Sequence, residues 1–295
     1  MTSSKTGHMA ATGFLAGGGE MGGRIRAFDW STHPLGHPAD WPQSLKTAVG
    51  IILNSQHPMW IGWGPRISFL YNDAYLHVLG LDKHPWALGR AASEVWSEIW
   101  DVCGPLAQQV FDNGQATFLD DVQLFMRRGG FLEETWYSFS YSPIRDESGT
   151  VAGLFCPSND VSAKVIGARR LRTLSALAAN ALVERTVEAA CAAATDTIGQ
   201  NTADIPFALL YLCGPDCAVA FLQQTPSIGH LGEALAPAVI PLGPGADPGI
   251  WFVPEVLSSG KPRRVDVRHF ESLPRGLANQ PVAEALVLPV IARNT

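Results

Sequence analysis

Apolar and polar side chains alternate from Trp136 to Tyr141, through Tyr137, Ser138, Phe139 and Ser140. A period of two marks a half-buried strand. The charged stretch Arg145-Asp146-Glu147-Ser148-Gly149 interrupts it, and Val151 to Phe155 is a second apolar run. The pattern predicts a β-hairpin with a glycine-containing turn. Upstream the period changes. Leu45, Val49 and Leu53 fall on one face of a helix predicted over Pro42 to Asn54, with Asp40 as cap and Pro42 in the first turn. Pro58 to Trp63 and Ile67 to Tyr71 read as two short strands around Gly64-Pro65. A short helix follows over Asn72 to Leu79, closed by Gly80. Further helical stretches lie near Ser93 to Trp100 and Pro105 to Asn113. A strand near Phe118 to Met126 and an Arg127-Arg128-Gly129-Gly130 turn lead into the hairpin. Two strands, short helices and three strands predict an α+β fold: a five-stranded antiparallel sheet with helices on one face.

Beyond the hairpin the chain turns Ala-rich and helical, over about residues 163–200. Leu171, Leu174, Ala178 and Ala181 keep a 3-4 spacing, a short coiled-coil seam that Arg185 breaks at its next position. Phe207 to Leu212 and Ala218 to Leu222 read as strands flanking a turn at Cys213 to Asp216. A Pro/Gly loop spans Pro241 to Gly249. A helix runs from Trp251 to Gly260, and strands follow over Arg263 to Val267 and Ala285 to Ile291.

With 295 residues there is room for two domains, each with its own core. Eight of the nine tryptophans lie between Trp30 and Trp136, and only Trp251 lies beyond, so the two halves differ in kind. A net charge of −6 leaves no basic footprint for nucleic acid. No apolar run reaches the ~18 residues of a membrane span, and no charged and apolar leader opens the chain. Five cysteines suit a reducing, cytoplasmic compartment. Residues 1–18 read as a disordered tail, in which Gly7-His8-Met9 resembles a cleaved-tag scar.

Several motifs invite chemistry and do not carry it. Gly17, Gly19 and Gly22 match G-x-G-x-x-G, but no strand precedes them and no amphipathic helix is predicted after them, so the stretch reads as a flexible lead-in. Asp120-Asp121 and Glu133-Glu134 are adjacent on strands, where neighbours point to opposite faces, so neither pair converges for acid–base work. Cys213 and Cys217 lack the second ligand pair that zinc needs, so no metal is expected.

Here the residues point to a family. FDWSTHPLGHPADWPQSLKTAV, LYNDAYLHVLG, ALGR with EVWSEIWD, and FSYSPIRDESGTVAGLF resemble the PAS domain near the N-terminus of bacterial, often hybrid, sensor histidine kinases. The match runs from about Gly19 to Leu177. SSGKPRRVDV and ALVLPV resemble the GAF domain of the same kinases, without that fold's last strand and helix. The resemblance implies a PAS domain over residues 19–162, a signalling helix and first GAF helix over 163–200, and an incomplete GAF domain over 201–295. It implies a small-molecule pocket walled by Trp60, Trp63, Tyr71, Tyr75, Trp96, Trp100, Phe139 and Tyr141, each of which, taken singly, reads more readily as core filler. Asn72 is counted with them, although a helix cap is its simpler role. Asp160-Val161-Ser162 resembles the Asp-x-Thr element that ends many PAS domains. With Arg169, Arg170, Leu171 and Leu174 it forms the expected signal relay into a dimeric helix.

No cofactor is assigned. The Asn-Cys-Arg-Phe-Leu loop of flavin-binding PAS domains is absent. Haem would need an axial ligand such as His77 or His84. Cys191 has no histidine beside it of the kind a bilin site carries. No phosphoacceptor box or ATP lid is present, so no catalysis is expected within this chain. The implied parent is a cytoplasmic histidine kinase acting on a response regulator as a homodimer. A ligand-free dimerisation scaffold, or the input of another output such as a phosphatase, are the alternatives.

Overall fold

A computed structural model of the chain describes residues 12–214, 216–223, 231–243 and 245–290. The chain divides into two units between Val165 and Ile166.

The first unit opens with a short turn at Gly13–Leu15 and a helix, α1 (Gly19–Ala27). The expected lead-in is therefore ordered structure here. Leu15, Met21 and Ile25 are fully buried. The reason lies some fifty residues away: both oxygens of the Asp73 carboxylate accept from the helix start, from Glu20 N at 2.8 Å and Met21 N at 2.7 Å. A carboxylate at a helix N-terminus satisfies otherwise unpaired N–H groups and complements the helix dipole. α2 (Gln43–Leu53) follows, burying Leu45, Val49, Ile52 and Leu53. Then come β1 (Met59–Trp63), β2 (Ser68–Tyr71), α3 (Leu76–Leu79), α4 (Ala92–Val95) and α5 (Trp100–Asn113). The unit closes with β3 (Thr117–Arg128), β4 (Phe131–Arg145) and β5 (Val151–Asp160).

As the pattern predicts, these five strands form one antiparallel sheet; their order across it is β2-β1-β5-β4-β3. The hairpin register sets Tyr137 opposite Asp160 and Phe139 opposite Ser158. Its turn is held by Asp146, whose carboxylate accepts from Ser148 N and Thr150 N at 2.9 and 3.1 Å. One face carries Trp60, Tyr71 and Cys156 in register. On the opposite face Ile61 and Leu70 are also fully buried, so β1 and β2 are covered on both sides.

The second unit holds most of α6 (Ser162–Val183), then α7 (Val187–Gly199), β6 (Tyr211–Cys213), β7 (Val219–Leu222), β8 (Val239–Pro241), α8 (Val253–Ser259), β9 (Arg263–Asp266) and β10 (Glu284–Val287). The helical stretch over residues 163–200 is thus two helices. Thr186 takes an extended conformation and caps α7, its hydroxyl accepting from Ala189 N at 3.1 Å. The strands form a three-stranded sheet, β6-β7-β8, and a separate β9–β10 pair. Ala220, Ile240, Trp251, Val265 and Val267 build a small core. The last predicted strand stops at Val287; Ile291 lies outside the described residues.

Candidate functional site

The inner face of the first unit's sheet and the helices packed on it enclose a cavity of about 30 Å³. β1 supplies Trp60, the turn before α3 supplies Tyr75, and α3 itself supplies Val78. Trp96 and Ile99 precede α5, which adds Cys103. Leu124 and Met126 come from β3, Tyr137, Phe139 and Tyr141 from β4, and Cys156 and Ser158 from β5. Alternation on β4 sends those three aromatics to one face. Phe139 and Tyr141 centroids are 5.1 Å apart, and Trp60 meets Tyr141 edge-on at 5.6 Å. A space of this size holds a water or two, whereas small-molecule pockets run to about 300–1,000 Å³.

The nine pocket candidates separate. Trp60, Tyr75, Trp96, Phe139 and Tyr141 line the cavity. Trp63 lies three residues from Trp60, an odd spacing on a strand, and so sits on the other face, paired with Gly153. A Cβ on Gly153 would come within 2.6 Å of the Trp63 ring, so only glycine fits beneath it. Tyr71 is on the inner face but turns its hydroxyl sideways into a hydrogen bond of 3.0 Å with His84 Nδ1. Trp100 is half-buried and packs on Gly104 of its own helix. Asn72 is fully buried and works as a structural clamp. Its carbonyl oxygen accepts from Met59 N and Tyr75 N at 3.1 Å each. Its amide donates to Ile52 O, Ser55 O and His57 O at 2.8–3.1 Å.

The histidines considered for haem point elsewhere. His77 is exposed. His84 spends its second nitrogen on Glu20, with Nε2 as the donor at 3.0 Å. Cavity chemistry is muted. Burial pushes the Cys103 thiol up to about 11 and the Cys156 thiol higher still, so both are protonated, poor nucleophiles. Burial likewise raises Tyr75 and Tyr141. Trp96 is backed by Lys83, whose ammonium sits 3.9 Å from its ring centroid and 2.6 Å from Glu98.

One cavity residue does a second job that the sequence reading missed. Tyr137 is buried with its ring on the cavity, and its hydroxyl donates to Asp160 Oδ2 at 3.1 Å. Asp160 precedes α6 and also accepts from Ser162 N at 2.9 Å. Ser162 Oγ accepts from Trp136 N at 2.9 Å, and Val161 N donates to Trp136 O at 2.8 Å. The Asp160–Ser162 element therefore locks the start of α6 to β4 at Trp136 and Tyr137. Burial opposes ionisation of Asp160, but the Ser162 and Tyr137 hydrogen bonds outweigh it and hold its carboxyl below the ordinary range. Burial, together with the nearby Asp160 charge, raises the Tyr137 phenol, so it remains a donor.

A second tether reaches α6 from β3. Asp120 and Asp121 sit at a β-bulge, with Asp121 at φ +46°. The expectation that they diverge fails there, because a bulge breaks the alternation of faces. Ser138 Oγ donates to Asp120 at 2.6 Å and accepts from Asp121 N at 3.1 Å, and Lys164 of α6 meets Asp121 at 3.3 Å.

The remaining relay candidates lie in the second unit. Arg169 grips the Asp204 carboxylate with two bonds of 2.9 and 3.0 Å, and Arg170 adds one of 3.2 Å. Thr173 accepts from Asn201 and Asn180 donates to Thr197, so that face of α6 is occupied. Leu171, Leu174, Ala178 and Ala181 lie on the other side and are exposed, Leu171 by 64% and Leu174 by 63%. Among the described residues no helix is long and apolar enough to cross a membrane, and no cluster of metal-ligating side chains occurs.

No family model and no curated protein matches the chain. Solved structures do. An RNA-binding light-oxygen-voltage receptor is 20% identical over 44% of this chain and 36% of its own, with a TM-score of 0.32. The PAS domain of histidine kinase ThkA is 20% identical over 35% of this chain and 99% of its own, at 0.27. A sensory box sensor histidine kinase from Vibrio cholerae is 13% identical over 35% and 77%, also at 0.27. Likeness at this level carries no functional inference.

Proposed function

We propose that this chain is the signal-input module of a cytoplasmic two-component sensor histidine kinase, a PAS-type unit followed by a GAF-type unit. The strand order of the first unit and the sequence blocks quoted above support the PAS reading. The order of helix, hairpin, short helix and strands in the second supports the GAF reading. One observation carries the mechanism: Tyr137 touches the cavity with its ring, and its hydroxyl bonds Asp160, the residue that in turn holds the start of the exit helix at Ser162 N. A ligand or partner that repacks the core moves β4, and Asp160 and Ser162 pass that movement to α6. The exposed stripe through Leu171 and Leu174 is the seam against a second copy, so a change at the helix start alters the dimer and biases the kinase that follows. The kinase in turn acts on a response regulator. Joining this chain to a histidine-kinase output tests the relay. Tyr137→Phe and Asp160→Ala should each shift autophosphorylation away from the wild-type level. Unchanged phosphorylation in both overturns it.

A second reading is favoured by the cavity itself. At about 30 Å³ the core is packed rather than hollow, which suits a ligand-free dimerisation scaffold. Native mass spectrometry with a visible absorbance spectrum separates the two. A retained mass or a visible band supports a sensor site, and a clean dimer mass without either supports the scaffold.

A further inference from the structure

A groove of about 590 Å³ lies on the surface of the first unit, distinct from the interior cavity. Its volume falls in the range of small-ligand sites. Arg24, Arg66 and Arg90 line it, with Phe28, His33 and Trp86 between them, and Glu94 is the one carboxylate of the lining. Counting those charges with His33 neutral leaves +2 locally, on a chain whose net charge is −6.

The groove is set up for an anion. The single Glu94 carboxylate is divided between two guanidiniums, Oε1 to Arg66 at 3.4 Å and Oε2 to Arg90 at 3.3 Å. Each contact is long and through one nitrogen, far from the paired bonds an arginine gives a matched carboxylate. Arg24 spends its Nε on Glu20 at 2.7 Å. Flat surfaces accompany the charge: Arg90 stacks over Trp86 at 4.4 Å, and Phe28 meets His33 edge-on.

The floor is rigid. Gly89 N donates to Phe69 O and Phe69 N to Arg90 O at 2.9 and 2.8 Å, so the segment carrying Arg90 is pinned along the edge strand β2. His33 Nδ1 accepts from Leu35 N at 3.2 Å, which fixes Nε2 as the donor to Gly89 O at 2.8 Å. Gly89 has φ +77°, and a Cβ there would stand 3.1 Å from His33 Nε2, so the close approach requires glycine.

We propose that this groove binds a small anion that carries a flat ring, an aromatic carboxylate or an aromatic phosphate ester. The ring lies against Trp86 and Phe28, and the anion displaces Glu94 from Arg66 and Arg90. The inference does not depend on the signalling reading.

Titration calorimetry and indole-resolved NMR of the whole chain at low salt test it. The probes are 2-naphthoate, AMP, their uncharged counterparts 2-naphthylmethanol and adenosine, and inorganic phosphate. At least one ring-bearing anion should bind roughly tenfold tighter than both its uncharged counterpart and phosphate, with Trp86 among the shifted indoles. Preference between naphthoate and AMP identifies the head group. Arg66→Gln and Arg90→Gln should each weaken binding about tenfold, while Glu94→Gln should strengthen it, because it removes the competing carboxylate. All three sites are at least 43% exposed on their side chains, so the variants should keep the wild-type thermal midpoint. Absence of binding by every ring-bearing anion, or a Glu94→Gln variant that binds no tighter, overturns the proposal.

Discussion

Removing one oxygen from Tyr137 isolates the link between core and exit helix. Tyr137→Phe keeps the ring on the cavity and deletes the donor to Asp160 Oδ2, now 3.1 Å away, together with a long contact of 3.5 Å accepted from Arg128 Nη1. Asp160 keeps its bond from Ser162 N and lies at the surface, so water replaces part of what is lost. The expected cost is therefore about 1 kcal/mol, the ordinary value of one hydrogen bond, and not the larger figure for an orphaned buried charge. Eight of nine tryptophans lie in the first unit, so fluorescence during urea unfolding reports that unit. With slopes of roughly 1–3 kcal/mol per molar, the midpoint should fall by about 0.5 M. A cycle with Asp160→Ala separates the bond from the helix-start role of Asp160, and should return a coupling of about 1 kcal/mol. Additivity within about 0.3 kcal/mol would refute the claim that the hydroxyl couples β4 to α6.

Three further outcomes are expected. Asn72→Ala removes the side-chain partner of Met59 N, Ser55 O and His57 O, while Tyr75 N and Ile52 O keep backbone partners, and should cost about 3 kcal/mol, read as a lower urea midpoint of the first unit. The bidentate Arg169 contact holds the Asp204 carboxyl far below its ordinary range, so its stabilisation is complete above the unfolded value of about 3.9 and is lost as pH falls through the folded one; the Arg169 Nε NMR signal should shift only in that acid window, and a shift already complete at pH about 4 would contradict this. On the proposed dimeric reading, Leu171→Glu with Leu174→Glu should leave the helix intact and reduce the mass measured by light scattering from dimer to monomer; a wild-type mass of one chain, or an unchanged mass, removes this seam from the account.

The sheet was legible because its strands announce themselves locally. Trp136 to Tyr141 alternates, the turn at Asp146 to Gly149 carries its own hydrogen bonds, and both sit within a few residues of the partners they need. α1 was not legible, since a Gly-rich stretch has weak helix propensity and the carboxylate that starts it, Asp73, comes from a distant turn. Distance in sequence also concealed the arginine groove, whose cations at residues 24, 66 and 90 meet only in the fold. At the cavity, counting aromatics found five wall residues and added three others: Trp63, which lies on the opposite face of β1, Tyr71, whose hydroxyl turns aside to His84, and Trp100, which packs on its own helix. Tyr137 was within reach. It shares the parity of Phe139 and Tyr141, and strict period-two counting on that strand would have included it.

The most direct measurement is hydrogen exchange on Phe139→Leu, which loosens the cavity without touching Asp160 or α6. If core packing is relayed to the helix, the amides of Trp136, Val161 and Ser162 should exchange about tenfold faster, while Phe69, bonded at the far edge of the sheet, keeps its wild-type rate. Unchanged exchange at those three amides, with faster exchange confined to the cavity wall, would contradict the account.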